Sequence, residues 1–153
     1  MEQLAFDSEL KKVYIQIEKA ELAVLATSSQ NKPTIRTMCI VFFDEKIYFQ
    51  TSTEYVKYKQ ICENKNVALC IGNIQIEGIA EIKGRSIEHK KFVEYYGKNH
   101  ENSYKNYSGL ETTILIEVTP IRITQWVYDD DKPSRIFLEL KTKSAYKIME
   151  PYC

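Results

Sequence analysis

Ile35-Arg36-Thr37-Met38-Cys39-Ile40, the pair Asp44-Glu45, then Ile47-Tyr48-Phe49-Gln50-Thr51-Ser52 and the run from Thr53 to Ile61 decide how this chain reads. The first stretch belongs to a strand over residues 34–43, and Arg36 interrupts two otherwise mostly apolar faces. Asp44-Glu45 is a short connection, which predicts an antiparallel hairpin into residues 46–51. Thr51-x-x-Glu54 fits a capping box, so a helix is expected from Ser52 or Thr53, with Tyr55, Tyr58, Ile61 and Cys62 on one side. Lys57 stands beside that side, one turn before Ile61. A helix N-terminus offers unpaired backbone N–H groups and the positive end of the helix dipole. Arg36, Thr51, Ser52 and Lys57 around it make a pocket for a phosphate, which points to a phosphorylated small ligand at a strand-to-helix corner.

Outward from that corner the pattern is mixed. Residues 8–20 have helical spacing through Leu10, Val13, Tyr14 and Ile17, with Asp7 or Ser8 available as a cap. Residues 22–26 read as a buried strand and residues 28–32 as a polar turn before Pro33. Asn64-Lys65-Asn66 ends the second helix, and strands follow over residues 67–71 and 74–82, the latter extendable to Arg85. Residues 86–96 are expected to be helical, with Ile87, Phe92, Val93 and Tyr96 buried, and residues 97–108 to be a tyrosine-rich loop with a short helix. A long β-branched run covers residues 112–127, where Pro120 signals a bulge, a bend or an edge. One more strand is expected at residues 136–140. Several connections are too short for parallel crossovers. The expectation is therefore an α+β fold built on an antiparallel barrel of six or seven strands with peripheral helices, residues 1–153 forming one domain.

Composition narrows the function classes. Lys and Arg number 21 and Asp and Glu number 21, so no global field favours nucleic acid or an anionic membrane. Asp129-Asp130-Asp131 is the longest like-charge run and reads as a solvated turn. The start lacks a basic segment followed by an apolar one, and no apolar run approaches the roughly 20 residues of a membrane helix. The expected location is the cytoplasm, where Cys39, Cys62, Cys70 and Cys153, with no C-x-x-C pair, would be free thiols. There is no dinucleotide or P-loop glycine motif, metal-ligand cluster or Ser/His/Asp arrangement. His89 and His100 read as exposed structural residues.

Taken in order, Arg36-Thr37-Met38-Cys39-Ile40, Phe49-Gln50-Thr51-Ser52, Lys57, Asn64-x-Asn66-Val67-Ala68-Leu69, Glu77-Gly78-Ile79-Ala80-Glu81 and Ile123-Thr124-Gln125-Trp126 resemble the FMN-binding split-barrel proteins related to pyridoxamine 5'-phosphate oxidase. The resemblance covers residues 5–128. It implies that Arg36 and Lys57 bind the FMN phosphate and that Thr37, Met38 and Cys39 lie along the flavin ring. Gln50, Thr51 and Ser52 would contact the ribityl chain and phosphate. Asn73 falls where the oxidase has a flavin-contacting Gln. The implied unit is a homodimer with FMN at its interface and Trp126 near the partner's flavin. Two departures matter. The tail from Ala145 to Cys153 shows no arginine-containing substrate motif, so oxidation of pyridoxamine phosphate is not expected. The chain looks more like the short branch that includes nitroimidazole-resistance proteins, yet Gln50-Thr51-Ser52 stand where many of those have a His.

These readings predict an FMN-dependent oxidoreductase that passes electrons or hydride from a reduced nicotinamide to a small acceptor. The cofactor would carry the redox chemistry and the protein would supply binding and electrostatics. The alternative is a flavin- or haem-binding protein without turnover, a sensor or a store.

Overall fold

The computed structural model describes residues 1–151. The chain opens with β1 (Glu2–Leu4) and α1 (Phe6–Lys19), followed by β2 (Leu22–Ser29), β3 (Lys32–Cys39), β4 (Val41–Phe43) and β5 (Lys46–Ser52). Then come α2 (Val56–Glu63), β6 (Asn66–Ile71), β7 (Ile74–Arg85) and, after a 3-10 turn, α3 (Lys90–Asn99). A single helical turn (Glu101–Ser103) and a π-helical turn (Tyr104–Ser108) lead to β8 (Thr113–Asp129), β9 (Lys132–Glu139) and β10 (Ser144–Met149). Cys153 lies outside the described residues.

Tight turns set the hairpins. Gln30-Asn31, Asp44-Glu45 and Asp130-Asp131 all have positive φ, the geometry that matches the right-handed twist of the flanking strands. All pairings are antiparallel, in the order β1-β10-β9-β8-β7-β6-β2-β3, with β4 on β5 and β5 on β8. β8 organises the sheet. On one edge it pairs with β7; on the other it pairs first with β5, from Ser52↔Thr113 to Ile47↔Val118, and then with β9 from Arg122↔Glu139. The sheet does not close by strand pairing; the chain itself links its β3 edge to the β4–β5 branch. β3 passes through Ile40, whose N–H donates to the Glu21 carbonyl at 3.0 Å, into β4. Leu25, Ile47, Phe49, Leu69, Ile76, Ile116, Val118 and Ile123 fill the interior, and Val13 and Ile17 of α1 pack into the same core. Burying such side chains contributes roughly 1.5–3 kcal/mol each. This is the α+β split barrel with peripheral helices.

Four expectations change. Among the described residues the strand count rises from six or seven to ten, because the stretch over residues 34–43 breaks at Ile40 and because β1 and β10 were not legible. β1 has only three residues, and β10 points Lys147 to the same side as the buried Ala145, so neither has a clean alternation. The capping box at Thr51 does not form: β5 keeps pairing with β8 through Ser52, and the Thr53 N–H goes to the Thr112 carbonyl at 2.9 Å. α2 therefore starts at Val56, with Tyr55 in the cap position and no side-chain cap, and it buries Gln60 and Ile61 while Tyr55 and Cys62 are exposed. α1 likewise begins behind Ala5 and not behind Asp7 or Ser8, because β1 pairs up to Leu4 and the chain turns at once. Finally, residues 97–108 are mostly helical rather than loop. Of the bulge, bend or edge expected at Pro120 the structure has the bulge: Glu77 faces Arg122 and Gly78 faces Pro120, leaving Ile121 as the extra residue.

Candidate functional site

Alternation along β3 turns Arg36 to the same side as Thr34, against β2. Its Nη1 donates to Thr27 Oγ1 at 2.7 Å and to the Leu25 carbonyl at 3.4 Å, and its Nη2 donates to Thr34 Oγ1. Thr27 and Thr34 are direct cross-strand partners. Both hydroxyls also reach Gln60 Oε1 at 2.6 Å, and Gln60 Nε2 donates to the Lys32 carbonyl at 3.0 Å. Lys57, one turn before Gln60 on α2, sits over the Tyr55 ring at 4.7 Å. Burial lowers the pKa of Arg36. Burial and then the charge of Arg36 lower that of Lys57. The two cations are therefore close enough to repel. Among the described residues no ion pair involves either of them.

Next to this pair opens a cavity of about 330 Å³. Thr37, Met38 and Cys39 of β3, Gln50, Thr51 and Ser52 of β5, and Lys57 line it. Arg36 is not among the lining residues but lies close enough to Lys57 to interact with its charge. The remaining lining comes from residues that were not candidates for the site: Glu54 and Tyr55 before α2, Tyr96 of α3, Ser103 and Tyr107 after it, and Leu110, Thr112 and Thr113 at the entry to β8. Tyr96 ends the helix expected over residues 86–96, and Tyr107 belongs to the tyrosine-rich segment that follows it. Gln50 and Thr51 are 7% and 5% exposed, yet Thr51 Oγ1 has no hydrogen-bond partner and Gln50 Nε2 has none at full hydrogen-bond geometry, only the Tyr96 hydroxyl as a polar neighbour. Gln50 Oε1 is engaged, accepting from Ser108 Oγ at 2.8 Å. The Tyr96 hydroxyl meets Ser103 Oγ at 2.9 Å, and burial pushes its pKa up to about 12. Burial also raises the Cys39 thiol, against a hydrogen bond with Tyr96. Both groups stay protonated at neutral pH.

Asn73 and Trp126 come together elsewhere. Asn73 Nδ2 donates to the Trp126 carbonyl at 2.6 Å, and the Trp126 N–H donates to the Asn73 carbonyl at 3.1 Å. At about 3.3 Å per residue, roughly 40 Å of strand separates Trp126 from Thr113. Neither residue lines the cavity of its own chain. The histidines are half-buried and not exposed: His89 Nε2 meets the Lys83 carbonyl at 2.7 Å and His100 Nε2 the Ile40 carbonyl at 2.8 Å. Among the described residues no cluster of His, Cys, Asp or Glu could hold a metal, and no helix is long and apolar enough to cross a membrane.

The sequence profile described as pyridoxamine 5'-phosphate oxidase matches residues 10–127, which contain the cation pair and the whole cavity lining. This chain belongs to the pyridoxamine 5'-phosphate oxidase family. A comparison with curated proteins finds no match. Among solved structures, General Stress Protein 26 from Bacillus anthracis str. Sterne is similar at 26% identity and a TM-score of 0.65, over 86% of this chain and 98% of that one. A protein related to general stress protein 26, of the pyridoxinephosphate oxidase family from Clostridium acetobutylicum, has 16% identity and a TM-score of 0.68 over 90% and 98%. A FAD-binding protein from Mesorhizobium loti has 14% identity and a TM-score of 0.60 over 79% and 93%. The residues matched by the pyridoxamine 5'-phosphate oxidase profile end before β9 and β10.

Proposed function

We propose that the protein binds FMN at the Arg36–Lys57 corner and uses it to pass electrons from a reduced nicotinamide to a small acceptor. The observation that carries this reading is the pair of half-buried cations without a carboxylate partner, beside a cavity whose buried Gln50 and Thr51 have unused polar atoms. A phosphate would neutralise the first, and a polyhydroxyl chain would satisfy the second. FMN offers both groups. Leaving such groups unmatched is costly, about 1–3 kcal/mol for a buried polar atom.

When bound, the flavin would supply the redox chemistry. The chain's own residues bind and orient. Arg36 and Lys57 hold the phosphate, Thr51, Ser52 and Gln50 meet the ribityl hydroxyls, and the backbone of Thr37, Met38 and Cys39 runs beside the ring. Tyr96 and Tyr107 cover that space from the other side and limit water. Among the described residues none beyond Thr113 lines the cavity, so Arg122 and Arg135 lie outside it, and pyridoxamine phosphate is not the proposed substrate. At about 330 Å³ the cavity is at the lower end of ligand pockets, which run from roughly 300 to 1,000 Å³. A second copy of the chain would complete it, with Trp126 of that copy over the ring.

The test is a spectrum of the purified protein followed by titration with FMN, FAD and riboflavin, then turnover with NADH and NADPH. Flavin bands, a preference for FMN of at least about tenfold over riboflavin, and consumption of one nicotinamide support the proposal. Binding without turnover would make the protein a flavin store or sensor. A Soret band in place of flavin bands would replace FMN by haem.

A further inference from the structure

Gln60 is a buried amide in an otherwise ordinary helix, 5% exposed and next to Ile61. Its orientation is dictated by the Lys32 carbonyl, which needs a donor at 3.0 Å and would repel the amide oxygen. Gln60 Oε1 must then face the two threonine hydroxyls, each 2.6 Å away. A hydroxyl has one proton. Thr27 and Thr34 both give theirs to Gln60, so only oxygen lone pairs are left for Arg36. Those lone pairs accept from Nη1 and Nη2. The result is a guanidinium held at two nitrogens by neutral acceptors, with its charge uncancelled beside Lys57. If a carboxylate held Arg36 instead, the site would already contain its anion.

We infer that Gln60 is the positioning residue of the anion site: it sets the polarity of the Thr27 and Thr34 hydroxyls so that Arg36 is oriented for a ligand phosphate without being neutralised. This deepens the FMN reading and rests on it. Gln60 touches neither the cavity nor the ligand; it acts through two hydroxyls.

Five chains are compared, the wild type, Gln60→Met, Thr34→Val, Arg36→Met and the Arg36→Met/Gln60→Met double variant, each with FMN and with riboflavin. The rotation of the Arg36 guanidinium is followed by nitrogen NMR in the unliganded proteins. Thr34 is half-buried on an edge strand, so its variant reports even if Gln60→Met fails to fold. The expected result is a loss of FMN affinity of about tenfold in both variants, riboflavin affinity unchanged within about twofold, and faster Arg36 rotation. In an Arg36→Met background, Gln60→Met should change FMN affinity no further. Equal losses for FMN and riboflavin would mark Gln60 as merely structural and overturn the inference. So would an unchanged preference for FMN, or a lost preference with Arg36 rotation unaltered. A wild type that binds both ligands equally would instead remove the phosphate site itself, and the NMR comparison would still show whether Gln60 restrains Arg36.

Discussion

Arg36 and Lys57 keep their charges in the folded chain with neutral groups as their nearest partners, and this makes their substitution informative. Without Arg36, the hydroxyls of Thr27 and Thr34 would still donate to Gln60, so little is left unsatisfied. Arg36→Met is expected to change folding stability by about 1 kcal/mol or less while weakening FMN binding at least about tenfold. Circular dichroism melts alongside bound-flavin content check both halves, and unfolding of the variant would make Arg36 a structural residue. The pH dependence follows from Lys57, whose pKa is lowered from its ordinary 10.5 by burial and by Arg36. A lysine lowered in this way opposes folding while charged, so its contribution to stability improves as pH rises from the lowered value towards 10.5. Binding has the opposite sign. A phosphate favours the charged amine and raises its pKa, so affinity for FMN should be full below the free-state pKa and fall as pH climbs through the bound-state value. Titrations of FMN at rising alkaline pH test this. In Arg36→Met the fall should move to higher pH, since one cause of the depression is gone.

At the scale of elements, β8 must serve β5 and then β9 along one edge, and the bulge at Ile121 lies where that change occurs. Pro120 suits the position because it lacks the N–H a regular ladder would need. Gly78, its partner on β7, leaves room for the close approach: a Cβ there would lie 2.6 Å from Val118 Cγ1 and 3.0 Å from the Thr119 carbonyl oxygen. Gly78→Ala should therefore destabilise the fold by about 1–3 kcal/mol, measured by chemical denaturation. A neutral result would mean that β7 and β8 shift apart without penalty. The hairpins and the irregularity at Pro120 were legible because each depends on residues adjacent in sequence. The start of α2 was misread for the opposite reason: Thr51 looked like a cap, but its strand neighbours on β8 keep it in the ladder.

At the scale of the whole molecule, the apolar surface not used by the core is uneven. Ile35 is 71% exposed, Tyr128 69% and Leu22 53%, and Trp126 stands near Tyr128 with ring centroids 6.3 Å apart. Exposed apolar surface of this kind is characteristic of interaction faces, and a stable interface buries roughly 1,600 Å² in total. A homodimer that covers it and brings Trp126 to the partner's flavin is the expected working unit. Sedimentation of the FMN-bound protein should give a dimer, and Trp126 fluorescence should be quenched as FMN binds. A monomer that retains FMN would defeat the interface; a dimer with unquenched Trp126 would leave the interface and remove that residue from the site.

Read by itself, the sequence determined the antiparallel character, the tight turns at Asp44-Glu45 and Asp130-Asp131, an irregularity at Pro120, and the strand-to-helix corner at which segments of β3, β5 and α2 meet. These follow from alternation, turn chemistry and spacing within single elements, aided by a resemblance whose motifs lie in the same order. Only the tertiary structure decided what Arg36 rests on and what covers the cavity. Gln60 is 33 residues from Thr27 and 26 from Thr34, and Ser108 is 58 from Gln50. A buried glutamine on a helix and a serine after a run of tyrosines have no local pattern that announces them. Their partners are chosen by how β2, β3, α2 and the helical turns pack, and packing, unlike periodicity, depends on residues far apart in the chain.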